Sequence, residues 1–155
     1  MAEYKLPIKL DEKEGLPVYV DQRELTLKYE IPVGDIKPFY DGLSKGEVLA
    51  PKCRKCGNVF FPPQNDCPKC MSSEMDWIPL NRQGVLVAAT MVFVKPKSFE
   101  DEPYYVVGVA KLEGGISVLA SVKTSDPMSL KIGRKVNLIV TANSKGNAVY
   151  SLEPV

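Results

Sequence analysis

All four cysteines of this chain lie in two Cys-x-x-Cys pairs, Cys53/Cys56 and Cys67/Cys70, with ten residues between the pairs. Each pair can bend around one tetrahedral ion, so four thiolates can converge without help from a large core. Disulfides are not expected, because the chain shows no export signal. The spacing therefore predicts one structural metal ion held by four cysteine sulfurs.

Zinc is the expected metal, because four thiolates in a closed site are typical of structural zinc centres. An iron ion in a rubredoxin-like centre uses the same ligands, and the sequence alone leaves iron open. With all four positions filled by the protein, no place remains for a bound water, so we do not expect the metal to catalyse a reaction. Its expected role is in folding, since metal binding at such sites contributes on the order of 10 kcal/mol.

The chain of 155 residues contains no histidine. This excludes Ser-His and Cys-His catalytic pairs, histidine metal sites and general-base catalysis by imidazole. The 20 basic and 19 acidic residues give a net charge of +1, so no strong positive field marks the protein for nucleic acid or an anionic membrane. No paired carboxylate site or activated nucleophile is evident, and a free-standing enzyme is the least expected function.

Prolines divide residues 1–34 into short stretches, including an alternating apolar stretch at residues 25–31. We expect an extended arm without a core of its own. It could form an edge hairpin on its own domain or wrap around a partner subunit. No signal peptide and no membrane-spanning segment is predicted, and the protein is expected to be cytoplasmic.

Residues 35–48 are expected to form a short helix. Asp35 is a suitable N-cap, Pro38 falls in the first turn, and Gly46 can end the helix in the left-handed conformation. A helix this short must bury its apolar face, against the chain's own core in the first interpretation and against a partner in the second. The residues of that face are Ile36, Phe39, Tyr40 and Leu43.

Residues 49–76 hold the cysteines, and residues 77–155 have the pattern of a small β-barrel. The longest connection between strand candidates lies between the third and the fourth, as in a five-stranded OB-fold barrel. A five-stranded sandwich or an SH3-like barrel would give a similar pattern, so the OB fold is only favoured at this point. The candidates are Val85 to Val94, Tyr104 to Leu112, Ile116 to Val122, Val136 to Thr141 and Ala148 to Leu152.

Several cations lie near the ends of the predicted strands, where they could contact phosphates. A solvated surface is the more frequent explanation for such residues. The candidates for phosphate contacts are Lys95, Lys97, Lys123, Arg134 and Lys135.

The order of motifs along the chain is more informative than any one motif. In chain order they are Phe39-Tyr40, Gly42-Leu43, Leu49-Ala50-Pro51-Lys52-Cys53, Cys56-Gly57, Phe60-Phe61-Pro62-Pro63, Cys67-Pro68-Lys69-Cys70, Trp77, Gly84, Pro103-Tyr104 and Ile132-Gly133. This order resembles the zinc-ribbon/OB-fold acyl-CoA-associated family, long described only as a domain of unknown function. The resemblance covers about residues 35 to 152. Met71 departs from it, because a glycine commonly follows the last cysteine.

The resemblance implies a mainly β protein with a short N-terminal helix, a rubredoxin-like zinc ribbon and a C-terminal OB-fold barrel. It implies zinc ligation by the four cysteines. Members of the family resemble non-catalytic partners of thiolase-superfamily enzymes, which bridge or stabilise the catalytic subunits and help to hold acyl-CoA. The expected function is that of an accessory subunit in a hetero-oligomer, with the five cations as candidate contacts to CoA phosphates.

The alternative function is binding of single-stranded nucleic acid, a role that OB folds and zinc ribbons both have elsewhere. The near-neutral charge argues against it, because phosphate binding needs several uncompensated cations. An iron electron carrier is a third interpretation, although nothing in the sequence suggests a flavin or a second redox centre. The acyl group and the pathway are not indicated by the sequence.

Overall fold

The computed structural model describes residues 7–20, 30–96, 99 and 104–155. It divides into two compact units, residues 1–32 and 33–155. The candidate cation Lys97 and most of the alternating stretch at residues 25–31 lie outside the described residues. Among the described residues, no helix is long and apolar enough to cross a membrane.

The described part of the first unit is a small antiparallel hairpin. Strand β1 (Ile8–Leu10) pairs with β2 (Pro17–Tyr19). The turn between them is organised by the carboxylate of Asp11, which accepts hydrogen bonds from the backbone N–H groups of Lys13 and Glu14 at 3.1 and 2.9 Å. The extended conformation expected for the arm is therefore present here as a hairpin.

A 3-10 turn (Gly34–Ile36) leads directly into helix α1 (Lys37–Ser44). The prediction that Asp35 caps this helix is wrong: the N-cap position is Ile36, and no side chain caps it. The 3-10 turn places Asp35 inside the helical segment rather than just before it. Pro38 does lie in the first turn, and Gly46 has φ +78°, as predicted.

Strands β3 (Leu49–Cys53) and β4 (Met75–Pro79) form the antiparallel ribbon that carries the cysteines. Its register pairs Leu49 with Pro79 at one end and Cys53 with Met75 at the other. The two strands thus hold the first and last parts of the cysteine segment side by side. Strand β4 ends at Pro79, and the predicted boundary between ribbon and barrel at residue 76 falls within it.

Five strands close into a barrel in the order β5-β6-β7-β9-β8. The fifth barrel strand, β9, lies between the third and the fourth, as in the OB fold. This confirms the OB fold and excludes the sandwich and SH3-like alternatives. The strands are β5 (Gln83–Val92), β6 (Tyr105–Leu112), β7 (Ser117–Val122), β8 (Lys135–Ala142) and β9 (Ala148–Pro154).

The barrel core consists of inward-facing aliphatic side chains from alternate strand positions. Leu86, Leu138 and Leu152 are fully buried at its centre. Strand β5 has a bulge between Leu86 and Ala88. The barrel closes through a short parallel pairing of β7 with β9, in which the hydroxyls of Ser121 and Ser151 lie 2.9 Å apart.

Helix, ribbon and barrel meet at three aromatic rings, which we call the aromatic triangle: Phe39 of α1, Phe61 of the ribbon and Tyr150 of β9. Phe39 lies 6.0 Å from each of the other two ring centres, and Phe61 lies 5.3 Å from Tyr150, all in edge-to-face geometry. Such pairs contribute about 0.5–1.5 kcal/mol each beyond the area they bury. Of the predicted apolar face, Phe39 and Leu43 are buried in the chain's own core, whereas Tyr40 is 46% exposed and Ile36 lies just before α1.

Candidate functional site

The two cysteine pairs form knuckles with the same backbone geometry. In the first, the N–H of Gly57 donates to the carbonyl of Cys53 at 2.8 Å; in the second, the N–H of Met71 donates to the carbonyl of Cys67 at 2.9 Å. Both residues that follow a knuckle are left-handed, Gly57 with φ +70° and Met71 with φ +57°. The position of Met71 therefore has the conformation that favours glycine.

The four sulfur atoms lie within 4.8 Å of one another. Cys53 Sγ is 3.5 Å from Cys70 Sγ, and Cys56 Sγ is 3.6 Å from Cys67 Sγ. In a tetrahedral site with Zn–S bonds of about 2.3 Å, neighbouring sulfurs are about 3.8 Å apart. The arrangement thus fits one tetrahedral metal ion and offers four soft ligands of the kind that zinc and iron both accept.

Backbone N–H groups are directed at the first sulfur of each knuckle. Burial raises the pKa of Cys67, but the N–H groups of Lys69 and Cys70 donate to its sulfur and lower the pKa to about 6. Burial also raises the pKa of Cys53, but N–H groups of its own knuckle donate to its sulfur and lower the pKa below the ordinary value of a thiol. These donors stabilise thiolates, the form that binds a metal.

The pKa of the last cysteine, Cys70, is raised because four thiols lie close together without a cation. The N–H of Ser72 lowers the pKa of Cys70, but burial and hydrogen bonds with the other three sulfurs outweigh it and raise the pKa to about 12. Negative charges this close together cannot all form unless a positive ion offsets them. The cluster is therefore suited to a cation, which would deprotonate the remaining thiols.

The segment between the two knuckles connects the ribbon to the barrel. Phe60 is buried with Cys53 and Cys67, whereas the next residue, Phe61, packs against the barrel core. The two neighbouring rings therefore serve different clusters. The aromatic-Pro-Pro motif singled out from the sequence has its structural explanation here, as the junction between the metal ribbon and the rest of the unit.

Comparison with known families identifies both parts of this architecture. A model described as "ChsH2, rubredoxin-like zinc ribbon domain" matches residues 41–76, and one described as "ChsH2, C-terminal OB-fold domain" matches residues 77–141. Together they cover a continuous stretch of about two thirds of the chain. The chain belongs to the ChsH2 family.

Curated relatives of this ChsH2-family chain have names that refer to scaffolds and to a thiolase. It is 31% identical over 93 residues to a "DUF35 domain-containing scaffold protein" of Methanocaldococcus jannaschii, covering 59% of this chain and 66% of the relative. A protein of the same name from Methanothermobacter thermautotrophicus is 32% identical, with 57% and 67% covered. "Benzoylsuccinyl-CoA thiolase subunit BbsA" of Thauera aromatica is 32% identical over 90 residues, with 53% and 60% covered. The chain thus spans about two thirds or less of the length of these relatives.

Two solved structures share the fold. The chain described as "Ltp2-ChsH2(DUF35) aldolase" superposes with a TM-score of 0.70 at 20% identity, covering 82% of this chain and 98% of that one. A DUF35-family protein of unknown function from Sulfolobus solfataricus gives a TM-score of 0.56 at 15% identity, with 79% and 86% covered. At these identities the likeness establishes the fold and nothing further.

Four of the five cations predicted to contact phosphates lie in the described part of this ChsH2-family structure, and these four do not line a single groove. Lys123 and Arg134 line one polar groove of about 370 Å³, together with Asp126 and Glu153. Lys135, at the start of β8, lines a different groove. Lys95 is half-buried near the end of β5, and Lys97 lies outside the described residues. The role of these residues at phosphates stays a prediction.

Lys111, which is not among the predicted cations, lines the same groove as Lys135. Its position inside a strand, rather than in a loop, kept it out of the candidate set. One feature of the sequence could have pointed to this groove. Val85-Leu86-Val87 places three apolar residues in a row on a strand, so apolar side chains must occupy both faces of β5.

Proposed function

We propose that this chain is a non-catalytic accessory subunit of a thiolase-superfamily complex, which it bridges or stabilises. The observation that carries the proposal is the sequence match to a curated thiolase subunit, BbsA, which shares 32% identity over 90 residues. The relatives named scaffold proteins support the same role. In this proposal the chemistry on the acyl-CoA substrate is performed by the catalytic partner, and the complex is cytoplasmic.

The absence of histidine supports a non-catalytic role, because histidine is the side chain that most often transfers protons in catalysis. The metal is proposed to be one zinc ion, bound by Cys53, Cys56, Cys67 and Cys70. Two of these sulfurs, those of Cys53 and Cys67, are buried, and the four leave no open coordination position for a substrate. The ion would stabilise the ribbon rather than act on a substrate.

The finer part of the proposal concerns CoA. The 3′-phosphate and the pyrophosphate of CoA carry several negative charges, so an accessory subunit can assist the reaction by contacting them with exposed cations. Lys123 and Arg134 are the predicted cations that share a groove. Neither side chain has an ion pair or hydrogen bond in the part of the chain that the structure describes, which leaves both free to bind a phosphate.

The test is isolation of the tagged chain from its own cells, followed by mass spectrometry, light scattering and metal analysis of the same sample. We expect a defined hetero-oligomer with a thiolase-fold chain and one zinc per copy of this chain. Recovery of a monomer that does not associate with purified thiolases from the same cells would refute the accessory role. Recovery with single-stranded nucleic acid that high salt removes would favour the nucleic-acid alternative, because phosphate neutralisation is steeply salt-dependent.

The metal part is tested separately by metal content and visible absorption. A colourless protein containing one zinc per chain is expected. An iron centre would absorb visible light and would overturn the zinc assignment without affecting the accessory role.

A further inference from the structure

The four cysteine ligands differ in their exposure to solvent. Cys53 and Cys67 are buried and Cys70 is half-buried, whereas Cys56 is exposed. The two buried cysteines are the first cysteines of the two knuckles, and they pack with Phe60. One corner of the sulfur cluster is therefore accessible to a small reagent that the ribbon keeps away from the buried sulfurs.

The backbone after Cys56 leaves this corner open. The next residue is Gly57, and a Cβ added to it would meet no atom within 4 Å beyond its chain neighbours. At the matching position of the second knuckle, Met71 carries a long side chain directly after Cys70. The first knuckle is thus the more open of the two at its second cysteine.

Exposure decides which sulfur of the loaded site reacts first. A bound zinc ion keeps all four cysteines in the thiolate form. The thiolate is the form that peroxides oxidise, and accessible thiolates are oxidised first. Because protonation does not distinguish the four sulfurs, their access to solvent does. The order of access is Cys56, then Cys70, then the buried pair.

We propose that Cys56 is an oxidation site for hydroperoxides and that its oxidation opens the metal site. With hydrogen peroxide, the Cys56 thiolate attacks one peroxide oxygen, so that an S–O bond forms, the O–O bond breaks and hydroxide leaves. The sulfur loses two electrons and the peroxide gains them. The product is the sulfenic acid of Cys56, which condenses readily with a second thiolate.

The second step joins Cys56 to the opposite knuckle. Cys67 Sγ lies 3.6 Å from Cys56 Sγ, so a movement of about 1.5 Å brings the two sulfurs to the disulfide distance of about 2.0 Å. The Cys67 thiolate attacks the sulfenic sulfur, the S–S bond forms and hydroxide leaves. The protein then retains only the thiolates of Cys53 and Cys70, too few for a closed structural site.

Opening of the metal site would affect more than the ribbon. Phe60 packs with two of the cysteines, and the next residue, Phe61, belongs to the aromatic triangle. Loss of the metal cross-link therefore loosens the junction of α1, ribbon and barrel. A dithiol reductant restores both thiolates and is itself oxidised to a disulfide, so the change is reversible when metal is supplied again. The inference rests on the four-cysteine metal site and not on the accessory role.

The experiment treats the full-length, zinc-loaded protein, freed of reductant and excess metal, with hydrogen peroxide. A chromogenic chelator measures released zinc, dimedone traps sulfenic acids, and peptide mass spectrometry locates the label. The dimedone label at Cys56 should exceed that at each other cysteine by roughly tenfold. Without dimedone, a Cys56–Cys67 disulfide should form, with one zinc released for each peroxide consumed. The melting temperature should fall with zinc release and recover after reductant and zinc are added.

Three variants separate Cys56 from its neighbours. Cys56→Ser and Cys70→Ser each leave three cysteines, but only Cys70→Ser keeps both Cys56 and Cys67. Peroxide should therefore release zinc from Cys56→Ser roughly tenfold more slowly than from Cys70→Ser. Met71→Leu removes a methionine that is 76% exposed and can itself be oxidised, and it should release zinc as fast as the wild type. If the serine variants do not retain zinc, the position of the label in the wild type decides alone.

A dimedone label distributed equally over the four cysteines, or one that reaches Cys70 before Cys56, would refute the site. Retention of zinc under a peroxide treatment that fully oxidises the same concentration of glutathione thiol in a parallel tube would also refute it. A disulfide between Cys56 and Cys53 would overturn the assignment of Cys67 as the partner. Slower zinc release from Met71→Leu than from the wild type would show that methionine oxidation opens the site instead.

Discussion

Replacing Met71 by glycine should stabilise the metal-loaded protein. Met71 follows the second knuckle with φ +57°, in the left-handed region where a side chain is strained. The equivalent residue of the first knuckle is Gly57, with φ +70° and a matching backbone hydrogen bond. The side chain of Met71 is 76% exposed, so its removal loses little packing.

The expected gain is a difference between two backbone effects. A left-handed conformation costs a residue other than glycine about 1–2 kcal/mol. Glycine loses more conformational freedom on folding, which offsets about 0.5–1 kcal/mol of the gain. The net increase in the free energy of unfolding should be about 0.5–1 kcal/mol, which for a chain of this size raises the melting temperature by about 1–4 °C. Thermal unfolding at a fixed zinc excess measures it.

Two control variants separate backbone strain from loss of the methionine side chain. Met71→Ala keeps the strained conformation and should bring no gain. Gly57→Ala introduces the same strain into the first knuckle and should lower the free energy of unfolding by about 1 kcal/mol. If Met71→Ala stabilises as much as Met71→Gly, or if Met71→Gly destabilises, the left-handed backbone is not the cause and the argument fails.

Three further predictions concern the metal, the aromatic triangle and the barrel. Cys67→Ser should reduce the metal content below one ion per chain and lower the melting temperature. A zinc chelator should have the same two effects on the wild type. An unchanged metal content in Cys67→Ser would show that Cys67 is not a ligand. Phe61→Ala should lower the free energy of unfolding, measured in urea, by about 2 kcal/mol. The loss is smaller than for removal of a fully buried ring, because Phe61 is only partly buried. The control Phe93→Ala, at a residue that is 70% exposed, should change the free energy of unfolding little. In Gly84→Ala the new Cβ would lie 2.7 Å from the carbonyl oxygen of Lys111, so the free energy of unfolding should fall by about 1–3 kcal/mol. Gly34→Ala, where no atom lies within 4 Å of the new Cβ, should change it very little. Equal losses in the two variants would show that crowding is not responsible.

The local parts of this fold could be predicted because their determinants are close together in the sequence. The knuckles need only a Cys-x-x-Cys pair and a few following residues, so the sequence predicted that the four sulfurs would converge. Barrel strands were placed within a few residues because turn-forming glycines such as Gly114 and Gly115, with φ +96° and +88°, separate them. The capping prediction for Asp35 failed because a 3-10 turn competed with the expected start of the helix.

Features that depend on pairing across the chain could not be predicted. Nothing in the sequence near Val85 indicates that Lys111 and Lys135 will be its neighbours, since the register of β5 with two other strands decides this. The parallel closure of β7 with β9 is set by barrel geometry rather than by local sequence. For the same reason the candidate cations appeared equivalent in the sequence, although Lys123 and Arg134 line one groove and Lys135 lines another.

The aromatic triangle limits how such a protein can be rebuilt from parts. Its three rings come from the helix, the ribbon and the last barrel strand, so each of these segments contributes one side of a shared contact. A ribbon transplanted from another protein, with the same four cysteines but no aromatic residue at position 61, would fold around its metal and leave a gap beside the contacting rings of Phe39 and Tyr150. The ribbon is therefore not an exchangeable cassette, and a chimera would need matched replacements at all three positions.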